Sequence, residues 1–184
     1  MQDKIVFTGM RPTGKLHLGH YLGVIENMVK LQEEYRCFYF IADWHALTTK
    51  YDKTEGLRQD VIDVAIDWLA SGIDPEKATI YVQSLIPETA ELHIYLSMIT
   101  PQNWVERDPN LKDMAKILRS KDGFASQINY GLMGYPVLMT ADILSFNADY
   151  VPVGIDQVAH VELTRDIARR FNNIYKTDFF KETK

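Results

Sequence analysis

Cysteine is almost absent from this sequence, and so are long apolar runs. The only cysteine in 184 residues is Cys37, so the chain cannot form an internal disulfide or a cysteine metal cluster. Cys37 lies in an apolar segment, where buried filler is its expected role. No apolar run reaches the roughly 18 residues of a membrane span, and the amino terminus lacks the basic segment and apolar core of a signal peptide. These absences favour a cytoplasmic protein without a membrane segment.

Positive charge is not in excess either. The chain has 20 Lys and Arg against 25 Asp and Glu, a formal net charge of −5, which argues against broad non-specific binding of nucleic acid. A local basic patch remains open, because Arg165, Arg169 and Arg170 share one predicted helix and Lys176 follows it. We favour the simpler interpretation that these residues form the solvated face of a helix.

Apolar runs and helical periodicities alternate along the chain. The predicted strands are 5–8, 37–42, 79–83 and 150–153. The predicted helices are residues 19–34, 136–146 and 157–172. A further helix is predicted between the first two, with Asp52 or Glu55 as its cap and Gly72 at its end. Near-continuous apolar strands suit a parallel sheet covered on both faces. We therefore predict an α/β fold with a doubly wound, Rossmann-like parallel sheet.

The predicted domain organisation is a single domain over residues 1–184. Residues of about 87–134 are helical but less regular, with breaks at Pro101 and Pro109. This stretch is long for a crossover between strands, so we interpret it as a helical insertion in the domain.

The most informative segment of the chain covers residues 7–23 and reads F-T-G-M-R-P-T-G-K-L-H-L-G-H-Y-L-G. A strand enters a Gly/Pro-rich turn and then a helix whose first turn carries His17 and His20, three residues apart on one face. Gly19 between them leaves flat backbone for a planar base, and a helix N-terminus suits polyphosphate. The pattern predicts nucleoside triphosphate binding without a Walker loop. The alternative is that the two histidines only cap a helix.

The segment resembles the H-I-G-H signature of class I aminoacyl-tRNA synthetases. A second block, V-P-V-G-I-D-Q at 151–157 followed by H-V-E-L-T-R-D-I-A-R-R-F-N at 160–172, makes the resemblance specific. From residue 4 to about 175 the chain is similar to the amino-terminal catalytic part of the tryptophanyl-tRNA synthetases.

The resemblance implies a site for ATP. It places His17 and His20 near the α-phosphate, where imidazole N–H groups would stabilise charge on the phosphoryl oxygens. Many bacterial relatives have glutamine where this chain has Arg11, which adds a fixed charge and a bidentate donor beside the phosphates. The implied catalytic residues are therefore His17, His20 and Arg11. The implied ATP-binding residues are Arg11, Pro12, Thr13, Gly19, His20, Gly154, Ile155 and Asp156; Asp156 suits ribose hydroxyls but also fits a helix N-cap.

The resemblance also implies a pocket for tryptophan. Tyr135, Met139 and Asp142 fall at helical spacing, so they are expected to face one cavity. Indole offers one N–H donor and no acceptor, so a buried Asp142 carboxylate accepting that bond would select tryptophan over phenylalanine. Without the resemblance, Asp142 would fit a surface residue or a cap equally well. The implied tryptophan-binding residues, with Gln157 near the amino group, are Asp142, Phe7, Gly9, His45, Tyr135, Met139, Ile143 and Gln157.

The implied reaction is ATP-dependent activation of L-tryptophan to tryptophanyl-adenylate, with transfer to tRNA(Trp) in the full-length enzyme. Mg²⁺ is expected to arrive with ATP and be held by its phosphates. A protein-held metal is not expected, because the five histidines form no His-Glu-x-x-His pair. The K-M-S-K-S loop and anticodon-binding domain of the family are absent from these residues, so activation by this chain is expected to be impaired. The family also implies a homodimer paired through the insertion, but the apolar residues of the insertion equally fit an internal core: Leu92, Tyr95, Leu96 and Ile99.

Two other functions remain open. A tyrosyl-tRNA synthetase catalytic domain shares the fold and both nucleotide motifs, and its phenol substrate also needs a polar partner. A non-catalytic, tryptophan-binding paralogue would fit the missing loop. The E-L-T-R-D stretch at 162–166 favours tryptophan over tyrosine.

Overall fold

A computed structural model describes residues 4–107 and 129–184 of the chain. The chain forms two compact units. The first unit comprises Met1–Pro87 and Ala148–Pro152, and the second comprises Glu88–Asn147 and Val153–Lys184. Each unit is described in turn.

The first unit is built on a parallel sheet. Its strands are β1 (Ile5–Met10), β2 (Arg36–Ile41) and β3 (Ala78–Val82), in the order β1-β2-β3. All pairs are parallel, with Phe7 opposite Phe38 and Phe40 opposite Tyr81. The predicted Rossmann-like α/β fold is confirmed.

The predicted strand at 150–153 is wrong: in the described chain only Tyr150 pairs, through one parallel bridge to Val6. The Phe7 N–H donates to the Tyr150 carbonyl at 2.9 Å, and the Tyr150 N–H donates to the Ile5 carbonyl at 3.0 Å. Pro152 has no N–H to continue such a ladder. The bridge nevertheless gives β1 a second neighbour in the sheet, on the edge that β2 does not occupy.

Helices connect these strands. They are α1 (Leu18–His20), a π-helical segment (Tyr21–Ile25), α2 (Glu26–Leu31), α3 (Asp43–Lys50), α4 (Leu57–Ala70) and a 3₁₀ turn (Gln83–Leu85). Helix α3 was not predicted. Gly56 rather than Asp52 or Glu55 is the N-cap of α4, whereas Gly72 after its end has the expected left-handed φ of 103°. The core beneath the sheet includes Trp68 and the expected filler Cys37, both buried.

The second unit is helical. Its elements are α5 (Glu88–Ile99), α6 (Gln102–Glu106), α7 (Tyr130–Ser145), a 3₁₀ turn (Ile155–Gln157) and α8 (Val158–Tyr175). Their apolar faces meet in a core that includes Leu96, Leu132 and Ile167. No helix of the described ranges is both long enough and apolar enough to span a bilayer.

Helix α7 begins six residues before the predicted start at residue 136. The Asn129 side chain caps it by accepting a hydrogen bond from the Leu132 N–H at 2.7 Å, and Pro136 lies inside the helix. The predicted break at Pro101 is confirmed, because Pro101 is the N-cap of α6. The break predicted at Pro109 lies outside the described residues, and the limits of the insertion at about 87–134 stay a prediction.

Candidate nucleotide and amino-acid site

The strand order of the first unit reverses at β1. The chain steps from β1 to β2 to β3 in one direction and then returns to the other edge of β1 at Tyr150. Open α/β sheets bind ligands beyond the carboxyl ends of their strands at such a switch point. The loop of residues 11–17 leaves the carboxyl end of β1, so the fold places the histidine motif beside the switch point.

His17 and His20 lie against each other at the start of α1. Their ring centroids are 3.9 Å apart. The His17 Nδ1 accepts a hydrogen bond from the Gly19 N–H at 3.1 Å, and the His20 Nδ1 accepts one from the His17 N–H at 3.2 Å. The two histidines therefore do cap α1, as the alternative interpretation of the motif predicts.

Capping also fixes the tautomers of both imidazoles. A ring nitrogen that accepts a hydrogen bond carries no proton, so each neutral ring has its proton on Nε2. The cap therefore makes each Nε2 of His17 and His20 a donor, which is the group that the phosphoryl oxygens of a nucleotide need. Capping and phosphate binding are compatible in this geometry.

Glycine at two positions shapes this motif. A Cβ on Gly19 would lie 2.9 Å from Cε1 of the His17 ring, so a side chain there would displace the capping imidazole. Gly14 has a φ of 120°, which side chains rarely tolerate. The Leu16 N–H, near the end of the loop, donates to the Asp67 carboxylate of α4 at 3.4 Å. Arg11 and Thr13 are exposed in the loop, and Pro12 is buried.

The pKa of His20 provides a test of this geometry. Burial lowers the pKa below its ordinary value of 6.5, and the nearby His17 ring lowers it further. The unfolded chain therefore binds a proton at this residue first as the pH falls below 6.5, so the contribution of His20 to the free energy of unfolding decreases toward acid pH. We expect the His20 ring protons to titrate below 6.5 in an NMR titration.

His17→Asn is the control for that titration. It removes the neighbouring imidazole but keeps a cap acceptor, so the pKa of His20 should rise while remaining lowered by burial. Titration of His20 at or above its ordinary value in the unchanged chain would contradict the close contact between the two rings.

The carboxyl ends of β2 and β3 are braced by two polar side chains that sequence reasoning missed. The Asp43 Oδ1 accepts from the Ser84 N–H at 3.0 Å. The fully buried Gln83 Oε1 accepts from the Trp44 N–H at 3.1 Å and the His45 N–H at 3.4 Å. These bonds start α3 and hold His45, which is buried on it. A polar residue directly after a buried strand is the one signal that marks Gln83 in the sequence.

The predicted pocket residues Phe7 and Gly9 lie on β1 beside an aromatic stack. The Phe40 ring lies 4.9 Å from the Phe7 ring and 5.8 Å from the Tyr81 ring, in stacked orientations. A Cβ on Gly9 would come within 2.2 Å of the Phe40 ring. Glycine is therefore required at position 9 for this stack to close.

The second unit carries the other predicted tryptophan-binding residues. Tyr135, Met139, Asp142 and Ile143 all lie on α7, as the spacing predicts. Asp142 is 1% exposed, so the interpretation of Asp142 as a surface residue is wrong. Met139 is half-buried and Ile143 is buried. Helix α7 thus presents one buried carboxylate among apolar side chains.

A chain of hydrogen bonds joins α7 to the start of α8. The Tyr135 hydroxyl contacts His160 Nε2 at 2.5 Å, His160 Nδ1 contacts Gln157 Oε1 at 2.8 Å, and Gln157 Nε2 donates to Asp156 Oδ2 at 2.7 Å. His160 is fully buried and was not among the predicted site residues. Its spacing of three from Gln157 was the available signal.

The residues just before Gln157 form a tight turn. Gly154 is the N-cap of the 3₁₀ turn that contains Ile155 and Asp156, all three exposed. A Cβ on Gly154 would lie 2.6 Å from Asp156 Oδ1. The glycine therefore allows the Asp156 carboxylate to fold back over the turn.

Two of the three arginines of α8 are paired with carboxylates, whereas Arg170 donates to the Ile99 carbonyl. Arg165 lies 2.5 Å from Glu162, and Arg169 lies 2.5 Å from Asp166 and 3.2 Å from Glu182. This pairing supports the solvated-face interpretation over a basic patch. Across the described ranges, His, Cys, Asp and Glu side chains form no group of three or more suited to a metal ion.

The fold and the motif at its switch point are typical of nucleotide-binding α/β domains. Comparison with known proteins makes this specific. The chain belongs to the family of class I tRNA synthetases for tryptophan and tyrosine (W and Y), whose family model matches residues 2–184.

The relatives include several enzymes for tryptophan. A tryptophan–tRNA ligase from Ralstonia nicotianae is 56% identical over 170 residues, which are 92% of this chain and 42% of that protein. The tryptophanyl-tRNA synthetase of Campylobacter jejuni complexed with ADP and tryptophan has a TM-score of 0.83 at 43% identity, over 92% of this chain and 50% of its own. A tyrosyl-tRNA synthetase from Archaeoglobus fulgidus has a TM-score of 0.72 at 22% identity, over 92% of this chain and 51% of its own, and shows the fold alone.

The chain spans about half the length of the curated relatives it matches.

Proposed function

We propose that the protein to which this chain belongs activates L-tryptophan with ATP and transfers the product to tRNA(Trp). The observation that carries the proposal is the buried Asp142 carboxylate on α7, in a chain of this family. Tyr135 and Met139 precede it by seven and three residues on the same helix. A buried acceptor suits the single N–H donor of indole, and a ligand without that donor could not form this hydrogen bond.

The histidine motif supplies the phosphate-binding side of the proposed reaction. A carboxylate oxygen of tryptophan attacks the α-phosphorus of ATP, forms tryptophanyl-adenylate and releases pyrophosphate. The Nε2–H groups of His17 and His20, together with the exposed Arg11 guanidinium, would stabilise negative charge on the phosphoryl oxygens. Mg²⁺ would enter as a complex with ATP, held by phosphate oxygens.

The remaining assignments also rest on the family. Asp156, with Gly154 and Ile155, would contact the ATP ribose, and Pro12, Thr13 and Gly19 would lie along ATP. The family assigns contacts with tryptophan to four further residues, which are Phe7, Gly9, His45 and Ile143. The assembly would be a homodimer paired through the helices of the predicted insertion, working in the cytoplasm where tRNA is charged.

Calorimetric titration with tryptophan and then tyrosine, each with and without a non-hydrolysable ATP analogue and Mg²⁺, tests the proposal. We expect saturable binding of tryptophan and much weaker binding of tyrosine, because the phenol ring does not place its donor where the indole N–H lies. Tyrosine selectivity, or binding of neither amino acid, would contradict the proposal. Pyrophosphate exchange into ATP then separates a catalyst from a binding protein, since a binding protein shows affinity without exchange.

A further inference from the structure

The hydrogen-bond chain through His160 has a fixed direction. The Asp156 carboxylate can only accept, so Gln157 must donate to it through Nε2, at 2.7 Å. This fixes the orientation of the Gln157 amide and turns its Oε1 toward His160 Nδ1, at 2.8 Å. A carbonyl oxygen only accepts, so the proton of neutral His160 is on Nδ1.

The direction continues to Tyr135. With the proton on Nδ1, the His160 Nε2 is an acceptor, so the Tyr135 hydroxyl donates its only proton to it. Every further hydrogen bond to the Tyr135 oxygen must then come from a donor. The same holds for Gln157 Oε1. His160 thus makes two oxygens acceptors for any further hydrogen bond: the Tyr135 hydroxyl oxygen on α7 and the Gln157 Oε1 before α8.

Two oxygens that can only accept match an ammonium group. A primary ammonium has three N–H donors and no acceptor, and hydrogen bonds to a charged donor are the stronger kind. With the opposite His160 tautomer, Nε2 would donate to the Tyr135 oxygen and Tyr135 could turn its own proton toward the ligand, which would repel a cation. The buried imidazole is therefore placed to favour a cationic donor over a neutral or anionic group.

We propose that His160 is a positioning residue for the α-amino group of the amino-acid substrate, acting through the acceptor polarity that it imposes on Tyr135 and Gln157. This inference rests on the proposed function, because it takes tryptophan as the ligand of α7. His160 does not touch the substrate in this scheme. Its effect is selectivity for ligands that carry an ammonium group.

Calorimetry with two ligands tests this role. L-Tryptophan carries the α-ammonium group, whereas indole-3-propionate has the same ring, chain length and carboxylate without it. In His160→Leu, which removes both hydrogen bonds of the ring, we expect affinity for L-tryptophan to fall about tenfold or more. Affinity for indole-3-propionate should change little, because the indole and carboxylate contacts do not involve the relay.

Two further variants separate positioning from folding. His160→Asn keeps a donor near the place of Nδ1, so Gln157 retains its orientation and the loss of L-tryptophan affinity should be smaller than in His160→Leu. If His160→Leu fails to fold, His160→Asn carries the comparison by itself. Thr164→Val is the matched control: it removes a buried hydroxyl one turn later on α8, bonded to Thr140 at 3.1 Å, and should leave the selectivity between the two ligands unchanged.

The possible outcomes distinguish a failure of this inference from a failure of the proposed function on which it rests. Equal loss of both ligands in the His160 variants would show a merely structural histidine and overturn the inference while the proposed function stands. Unchanged L-tryptophan affinity in folded His160→Leu would overturn it as well. If the unchanged chain binds neither ligand, the proposed function fails and the inference falls with it.

Discussion

Replacing Asp142 by alanine is expected to weaken tryptophan binding by about 10- to 150-fold, the loss that follows when a hydrogen bond to a charged, buried group is removed. The carboxylate is 1% exposed, so water would not easily replace the lost acceptor. Affinity for an ATP analogue should be nearly unchanged, because the phosphate-binding groups proposed here lie on other segments. Calorimetric titrations of each ligand, with and without the other, measure both effects.

Two variants on α7 control this experiment. Asp142→Asn keeps a carbonyl acceptor but loses the charge, so its affinity for tryptophan should fall between those of the unchanged chain and the alanine variant. Thr140→Val removes a buried hydroxyl on the same helix, bonded to Thr164, and should lower stability without lowering tryptophan affinity specifically. Equal losses of tryptophan and ATP-analogue affinity in Asp142→Ala would refute the assigned role of Asp142.

The second large effect is expected at His17, where two roles can be separated. His17→Ala removes both the cap and the imidazole, and His17→Asn replaces the cap acceptor but not the Nε2–H donor. We expect both variants to lower the rate of tryptophan-dependent pyrophosphate exchange by about 10²- to 10³-fold, as removal of one preorganised donor to a developing anion does. Exchange of labelled pyrophosphate into ATP, at saturating tryptophan, measures the loss.

Stability separates the two variants. His17→Ala should lower the free energy of unfolding by about 0.5–2 kcal/mol through loss of the N-cap, whereas His17→Asn should keep most of it. Denaturant unfolding of the three chains gives the comparison. If exchange is near normal in His17→Asn but falls in His17→Ala, then His17 serves only as a helix cap and the imidazole takes no part in the chemistry.

The sheet was predictable because its strands are short, almost wholly apolar runs. Residues 37–42, for example, predicted a buried parallel strand, and β2 covers Arg36–Ile41. Helix α3 was not predictable in the same way. Its start depends on hydrogen bonds from backbone N–H groups to Asp43 and Gln83, and Gln83 lies some forty residues further along the chain. Long-range contacts of this kind leave little trace in local periodicity.

Two predicted elements differ from the structure at a proline, one at Pro136 and the other at Pro152. Proline favours the first turn of a helix, which predicts a start at Pro136, but Asn129 caps α7 earlier and the proline lies within it. The strand predicted at 150–153 contains Pro152, whose missing N–H interrupts it. In each place a proline has one local effect, and the neighbouring residues decide whether it begins, bends or ends an element.

The candidate site also contains both residues that the sequence predicted and residues that it did not. The sequence predicted that Tyr135, Met139 and Asp142 share a helix face, because spacing alone determines that. It did not predict His160, because a spacing of three from Gln157 is by itself a weak signal that also fits a histidine buried only for packing. Its role depends on a partner 25 residues away, which the sequence pattern does not connect to it.

The carboxylates beside the arginines of α8 have a consequence for salt dependence. Arg165 and Arg169 each hold a carboxylate within 2.5 Å, so this helix face carries its own neutralising charges. Binding of RNA depends steeply on salt when protein cations displace the small ions condensed along the phosphates. An RNA strand lying over these two arginines would keep most of its condensed ions. Its attraction to this helix would therefore change little between dilute and concentrated salt.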